Sequence, residues 1–213
     1  MQRSDLQDTD YEALLSRIVP IMLNNGLKST TMDRVAAELG MSKRTLYEIF
    51  GSKSVMLHEA LQQLERQSRQ HYLNIFASAD NIMEAMFKIF QYNRDLIRDV
   101  NTDFYRDMDR LYKDKRREYE QTREQRHEEM LKVFKLGVEQ GMFRPDVDYP
   151  IQSRMMGIQM EALKKNEELF PPEIPLQRVF DAIIVSFLRS IASEKGMKIL
   201  DKLTKEINER EKN

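Results

Sequence analysis

Residues Thr31–Phe50, TMDRVAAELGMSKRTLYEIF, hold two short amphipathic segments separated by a glycine, and that break decides the reading of the chain. Val35, Ala36 and Leu39 share one face of the first segment, while Leu46, Ile49 and Phe50 share one face of the second. Gly40 suits a left-handed helix stop, Met41 can tuck beneath the turn, and Ser42 is placed to cap the second helix. The small Ala36 lets the two helices cross closely. Lys43, Arg44, Thr45, Tyr47 and Glu48 are left facing outward. A short helix offering solvent two cations, a hydroxyl and a phenol near its start is suited to enter a DNA major groove.

The surrounding composition narrows the fold. The chain has 213 residues, 32% of them charged, with seven glycines and six prolines. Helices joined by short loops fit that profile; a β-sandwich or a disordered chain does not. Thirty-four basic residues against 35 acidic ones give a net charge of −1, so indiscriminate coating of nucleic acid is disfavoured and any DNA contact must be local. Between Lys28 and Lys53 five cations (Lys28, Arg34, Lys43, Arg44, Lys53) outnumber three acids (Asp33, Glu38, Glu48). Cysteine is absent, which removes disulfides and thiolate chemistry and agrees with a reducing compartment. The polar start MQRSDLQDTD lacks a signal-type apolar core, and no run approaches the ~18–20 apolar residues of a membrane span. A cytoplasmic protein is expected.

Outward from the central stretch the apolar spacing is helical throughout. Tyr11, Leu14, Leu15, Ile18 and Met22 predict a helix ending at Asn24-Asn25-Gly26. After Gly51-Ser52 a long helix runs from Lys53 to about Phe76, and a domain boundary is expected near its start, with residues 1–55 apart from 56–213. Asp80–Val100 carries so wide an apolar arc that burial among several helices is expected. Thr102–Tyr112 is short and aromatic. Lys113–Gln140 starts highly charged, turns amphipathic, and stops at Gly141. Further helices span Ile151–Leu169 and Leu176–Ile191, the latter with the cleanest stripe in the chain. Gly196 is expected to interrupt before a last amphipathic segment containing Ile199, Leu200, Leu203 and Ile207. The fold class is all-α, with about nine or ten helices: a three-helix helix–turn–helix domain followed by a larger helical domain.

Gly26, Thr31, Val35-Ala36, Gly40, Ser42, Thr45-Leu46-Tyr47, Phe50 and Ser52-Lys53 together resemble the N-terminal domain of a TetR-family transcriptional regulator. TLYEIFGSK is similar to the end of that family's recognition helix, and GVEQGMFRPD is similar to the connector between the seventh and eighth helices of many members. The resemblance implies a homodimer on a palindromic operator, usually a repressor relieved by a small ligand.

On that frame Lys43 and Arg44 are candidate base readers, since Arg or Lys on guanine O6/N7 is the commonest specific contact. The resemblance gives Ser42, Thr45 and Tyr47 base or phosphate contacts, and Thr31 and Lys53 phosphate contacts from the starts of their helices. Glu48 is expected to face away or to accept a bond from a cytosine amino group. Ile151, Met155, Ile158 and Ala162, with Phe180, Ile183, Ile184, Phe187 and Ile191, are expected to form a four-helix dimer interface; the competing expectation is that they fill their own chain's core. Met83, Met86, Phe87, Phe90, Phe104, Met108, Tyr112, Met130 and Phe134 are candidates to line an effector pocket for an apolar or amphipathic ligand, methionine being adaptable, or else plain core.

Enzyme constellations are not found. Glu124 and His127 make one ExxH, but a di-iron bundle needs two such pairs with further carboxylates, and no P-loop, GxSxG or dinucleotide fingerprint occurs. Neither a metal nor a cofactor is expected. The rival readings are a DNA-binding dimer controlled by a protein partner, and a helical enzyme or carrier whose helix–turn–helix is only structural.

Overall fold

In the computed structural model the described residues are 7–101, 103, 104, 106–108, 116–163, 170, 171 and 173–210. Among them the elements are α1 (Asp8–Asn25), α2 (Met32–Leu39), α3 (Lys43–Phe50), α4 (Lys53–Ser78), α5 (Ile82–Asp99), α6 (Arg116–Glu139), α7 (Tyr149–Leu163), α8 (Leu176–Ile191) and α9 (Glu194–Arg210). No strand occurs among the described residues; one isolated bridge pairs Phe143 with Ala192. The chain divides into two compact units, Met1–Tyr72 with Asp99–Asp114, and Leu73–Arg98 with Lys115–Asn213.

In the first unit, Leu15, Ile18 and Met22 of α1 meet Val35 of α2, Leu46 of α3, and Met56 and Ala60 of α4 in one buried cluster. Each large side chain there contributes roughly 1.5–3 kcal/mol through burial, so this small domain rests chiefly on these contacts. The helix–turn–helix forms by local chemistry. Thr31 accepts the Arg34 amide at 3.2 Å and starts α2. Gly40, at φ 66° and ψ 29°, ends it in the left-handed region, and the Met41 amide closes back on the Ala36 carbonyl at 2.9 Å. Ser42 then starts α3 by accepting the Thr45 amide at 3.0 Å.

Residues 99–114 belong to this first unit although most of the preceding α5 does not. The Asn101 amide donates to the Leu23 carbonyl at 3.0 Å, and the Lys28 amide donates to Asp107 Oδ2 at 2.7 Å. Phe104 is buried in the same cluster, with Val100 and Met108 packed against it. Phe104, Val100 and Met108 thus add to the core around the helix–turn–helix.

In the second unit, Phe87, Phe134, Phe143, Leu188 and Ile191 lie at the centre, with Phe90 stacked on Phe180 at 5.5 Å between ring centroids and Phe134 on Tyr149 at 5.0 Å. Arg94 Nε of α5 reaches both Asp181 oxygens of α8, at 2.8 and 3.0 Å. The turn after α6 is bolted to the junction of α8 and α9: the Arg144 amide donates to the Ile191 carbonyl, and the Ser193 amide to the Met142 carbonyl, each at 2.9 Å. Gly196 does not interrupt a helix as expected. It lies within α9, where an added Cβ would stand 2.1 Å from the Met142 carbonyl oxygen, so its function is close approach.

Candidate nucleic-acid interface

The cap on Ser42 fixes where α3 begins, and the inward Leu46, Ile49 and Phe50 fix its rotation. The outward face is thereby determined. Arg44 is its most exposed member, with 89% of the side chain open, and Tyr47 is 45% exposed. Ser42 Oγ and Thr45 Oγ1 lie 2.7 Å apart, so one hydroxyl proton is spent between them and the other remains to donate outward. Thr31, whose side chain caps α2, stands at the head of its helix.

Both candidate base-reading cations hold a carboxylate. Lys43 Nζ donates to Asp33 Oδ2 at 2.8 Å, joining the start of α2 to the start of α3, and this bond raises the lysine pKa. Arg44 Nε donates to Glu48 Oε1 at 2.9 Å one turn along the helix; the same bond pulls the Glu48 carboxyl below the usual glutamate range. Glu48 is therefore the partner of Arg44, a role neither expectation for it included. The four-residue spacing of Arg44 and Glu48 is a signal the sequence did carry. Asp33 is the partner sequence reasoning missed, because it meets Lys43 only once Gly40 has folded the chain back. Lys53 Nζ donates to the Lys28 carbonyl at 2.7 Å, and partial burial lowers its pKa. One of its three donors is thus committed to the protein itself.

The other candidate residues separate. Of those proposed for a pocket, Met83, Phe87, Phe90 and Phe134 are buried together in the second unit, with Met86 and Met130 packed against them. Phe104 and Met108 are not part of that group; they complete the core of the first unit, and Tyr112 lies outside the described residues. The described candidates thus belong to the cores of two different units.

The interface residues separate as well. Phe180, Ile184, Phe187 and Ile191 are buried in their own chain's core and Ile183 packs against it, which corrects the expectation that this stripe faces a second copy. On α7, by contrast, Ile151, Met155 and Ile158 stand 56%, 49% and 62% exposed. Ala162 is on that helix, its side chain outside the description.

The ExxH residues are engaged elsewhere: His127 Nδ1 lies 2.8 Å from Ser153 Oγ, and Glu124 accepts from Arg154 at 3.1 Å. Among the described residues no group of three or more histidines or carboxylates is arranged to hold a metal ion, and no helix is long and apolar enough to cross a membrane.

Comparison with known proteins bears on the same segment. The profile of bacterial regulatory proteins of the tetR family matches residues 20–60, which contain α2, α3 and their turn. The chain is 28% identical over 147 residues to the transcriptional repressor KstR2 of Mycobacterium tuberculosis, covering 67% of this chain and 74% of that one. To KstR2 of Mycolicibacterium smegmatis it is 26% identical over 149 residues, covering 68% and 73%. Solved structures share the fold. A TetR-family regulator from Streptomyces coelicolor superposes with a TM-score of 0.63 at 20% identity, over 86% of this chain and 97% of the other. The M. tuberculosis ketosteroid regulator KstR2 gives 0.54 at 24% identity, over 89% and 98%. The segment holding α2, α3 and their turn thus matches the tetR-type profile, and the chain as a whole is similar in sequence to KstR2 transcriptional repressors and in fold to TetR-family regulators.

Proposed function

We propose that the chain is a TetR-family DNA-binding transcriptional regulator, a homodimeric repressor that binds a palindromic operator and is released by a small apolar or amphipathic ligand. The observation that carries the reading is the outer face of α3, where Lys43, Arg44, Thr45 and Tyr47 stand beyond a capped start. Lys43 and Arg44 read base edges; Thr31, Ser42, Thr45, Tyr47 and Lys53 add base or phosphate contacts that set register. Residues 1–55 supply that reading surface, and 56–213 supply dimerisation and the response to ligand.

One eight-residue helix reads few base pairs, so two copies about 34–36 Å apart are needed to engage successive major grooves. The open stripe of Ile151, Met155 and Ile158 supports the pairing: three large apolar side chains on one helical face at spacings of four and three. Ala162 continues that register. The name repressor, carried by the relatives, supports the sign of regulation.

The ligand's point of action is the aromatic and methionine-rich core of the second unit, around Met83, Phe87, Phe90 and Phe134. The solved KstR2 structure, a ketosteroid regulator, supports an apolar effector. Release is a population shift. A ligand taking the dimer from 99% to 1% competent must prefer the incompetent state by ~10⁴-fold, or ~5.5 kcal/mol. That preference is expressed through α4, which leads directly from the helix–turn–helix.

The test is the double variant Lys43→Ala, Arg44→Ala. Loss of operator selection with dimerisation intact is expected; retained selection refutes the assignment of the reading surface.

A further inference from the structure

Resting on the reading role given above to α3, we propose that Glu48 is a positioning residue for sequence discrimination: it holds Arg44 so that the guanidinium meets one guanine in a single orientation. An arginine with 89% of its side chain in solvent has no packing to choose its rotamer. A bidentate contact to O6 and N7 requires one rotamer and one plane. Glu48, one turn further along α3 and with only 31% of its side chain exposed, accepts from Arg44 Nε at 2.9 Å. That bond fixes the guanidinium plane. It uses Nε–H alone, so the two terminal nitrogens keep their four N–H donors for the DNA.

The contrast with the neighbouring cation sharpens the point. Lys43 is tied to Asp33 through its ammonium, the same group that would meet a base. Arg44 is held by one side of its fork and can read with the other, whereas the Lys43 ammonium keeps two donors but has no plane for its bond to orient. A carboxylate on a helix that enters a groove lowers affinity for every duplex through repulsion by phosphates. Glu48 therefore opposes binding in general while favouring one sequence in particular, and the two effects separate experimentally.

The experiment compares wild type, Arg44→Ala, Glu48→Ala and Glu48→Gln on the operator selected by the wild-type protein. Single-base variants of that operator and an unrelated duplex complete the set, and thermal unfolding verifies that each variant is folded. Glu48→Ala is expected to bind the unrelated duplex more tightly. It should also lose about five- to hundredfold of discrimination at one base pair, the same pair at which Arg44→Ala loses it. Glu48→Gln keeps an acceptor oxygen for Nε and should retain an intermediate share of that discrimination. Loss at a different base pair would mean that Glu48 itself reads a base, and uniform tightening with discrimination unchanged would mean that it is only a charge; either overturns the inference while leaving the regulator reading in place. A wild-type protein that selects no sequence overturns both.

Discussion

The Lys53 ammonium, on the first residue of α4, donates at 2.7 Å to the Lys28 carbonyl in the loop before α2, and the Lys28 amide is itself held by Asp107 Oδ2. Lys28 is thus gripped at both its amide and its carbonyl, by residues far apart in the chain. An ammonium has three donors, so this bond leaves Lys53 able to meet a phosphate as well. Lys53→Met is expected to weaken binding to all duplexes alike, with the salt slope smaller by about 1, and to lower stability by about 1 kcal/mol. Binding titrations at several salt concentrations check this; a loss confined to one base pair contradicts it.

Two glycines separate strain from crowding. Gly40 sits at φ 66° with nothing within 4 Å of an added Cβ, so Gly40→Ala is expected to cost about 1–2 kcal/mol from backbone conformation alone. Gly196 meets a main-chain carbonyl that cannot swing aside, so Gly196→Ala is expected to cost about 3 kcal/mol or more. Denaturant unfolding ranks the two, and a milder effect at Gly196 contradicts the packing described for α9.

These glycines also mark what the sequence could and could not disclose. Gly40 was legible because a helix stop is local: glycine, capping serine and two short apolar stripes lie within twenty residues. The role of Gly196 was not, because its reason is Met142, in a turn more than fifty residues earlier. Periodicity gave α8 its bounds and its apolar face, yet it says nothing of which partner covers that face. Phe180 and Phe187 proved to be covered within the chain, while the weaker α7 pattern holds the open stripe. The packing of Phe104 and Met108 was not legible for the same reason, since their partners come from α1 and its neighbours rather than from adjacent sequence.

Charge inserted into the α7 stripe should therefore act on assembly, and truncation in α8 on folding. Ile151→Glu with Ile158→Glu is expected to yield a folded monomer with unchanged helix content. Phe187→Ala is expected to cost about 3–5 kcal/mol without first dissociating the dimer. Sedimentation alongside thermal unfolding distinguishes them; dissociation by Phe187→Ala in a fully stable protein contradicts the assignment.

The Arg44 hydrogen bond holds the Glu48 carboxyl below the usual range, so the pair is intact above the ordinary glutamate pKa of about 4.3 and is lost only as pH falls through the depressed value. Discrimination between operator and single-base variants is expected to stay flat from about pH 8 to pH 5.5. A decline within that window, measured at constant ionic strength, contradicts the pairing.

Selection of bound fragments from a random duplex pool bears hardest on the idea of two α3 helices reading one operator. An inverted repeat should be enriched, its half-site centres about 10–10.5 base pairs apart or at a multiple of that spacing, and Lys43→Ala with Arg44→Ala should abolish the enrichment. Absence of any enriched sequence, or a single unrepeated site bound equally by that double variant, would refute the idea.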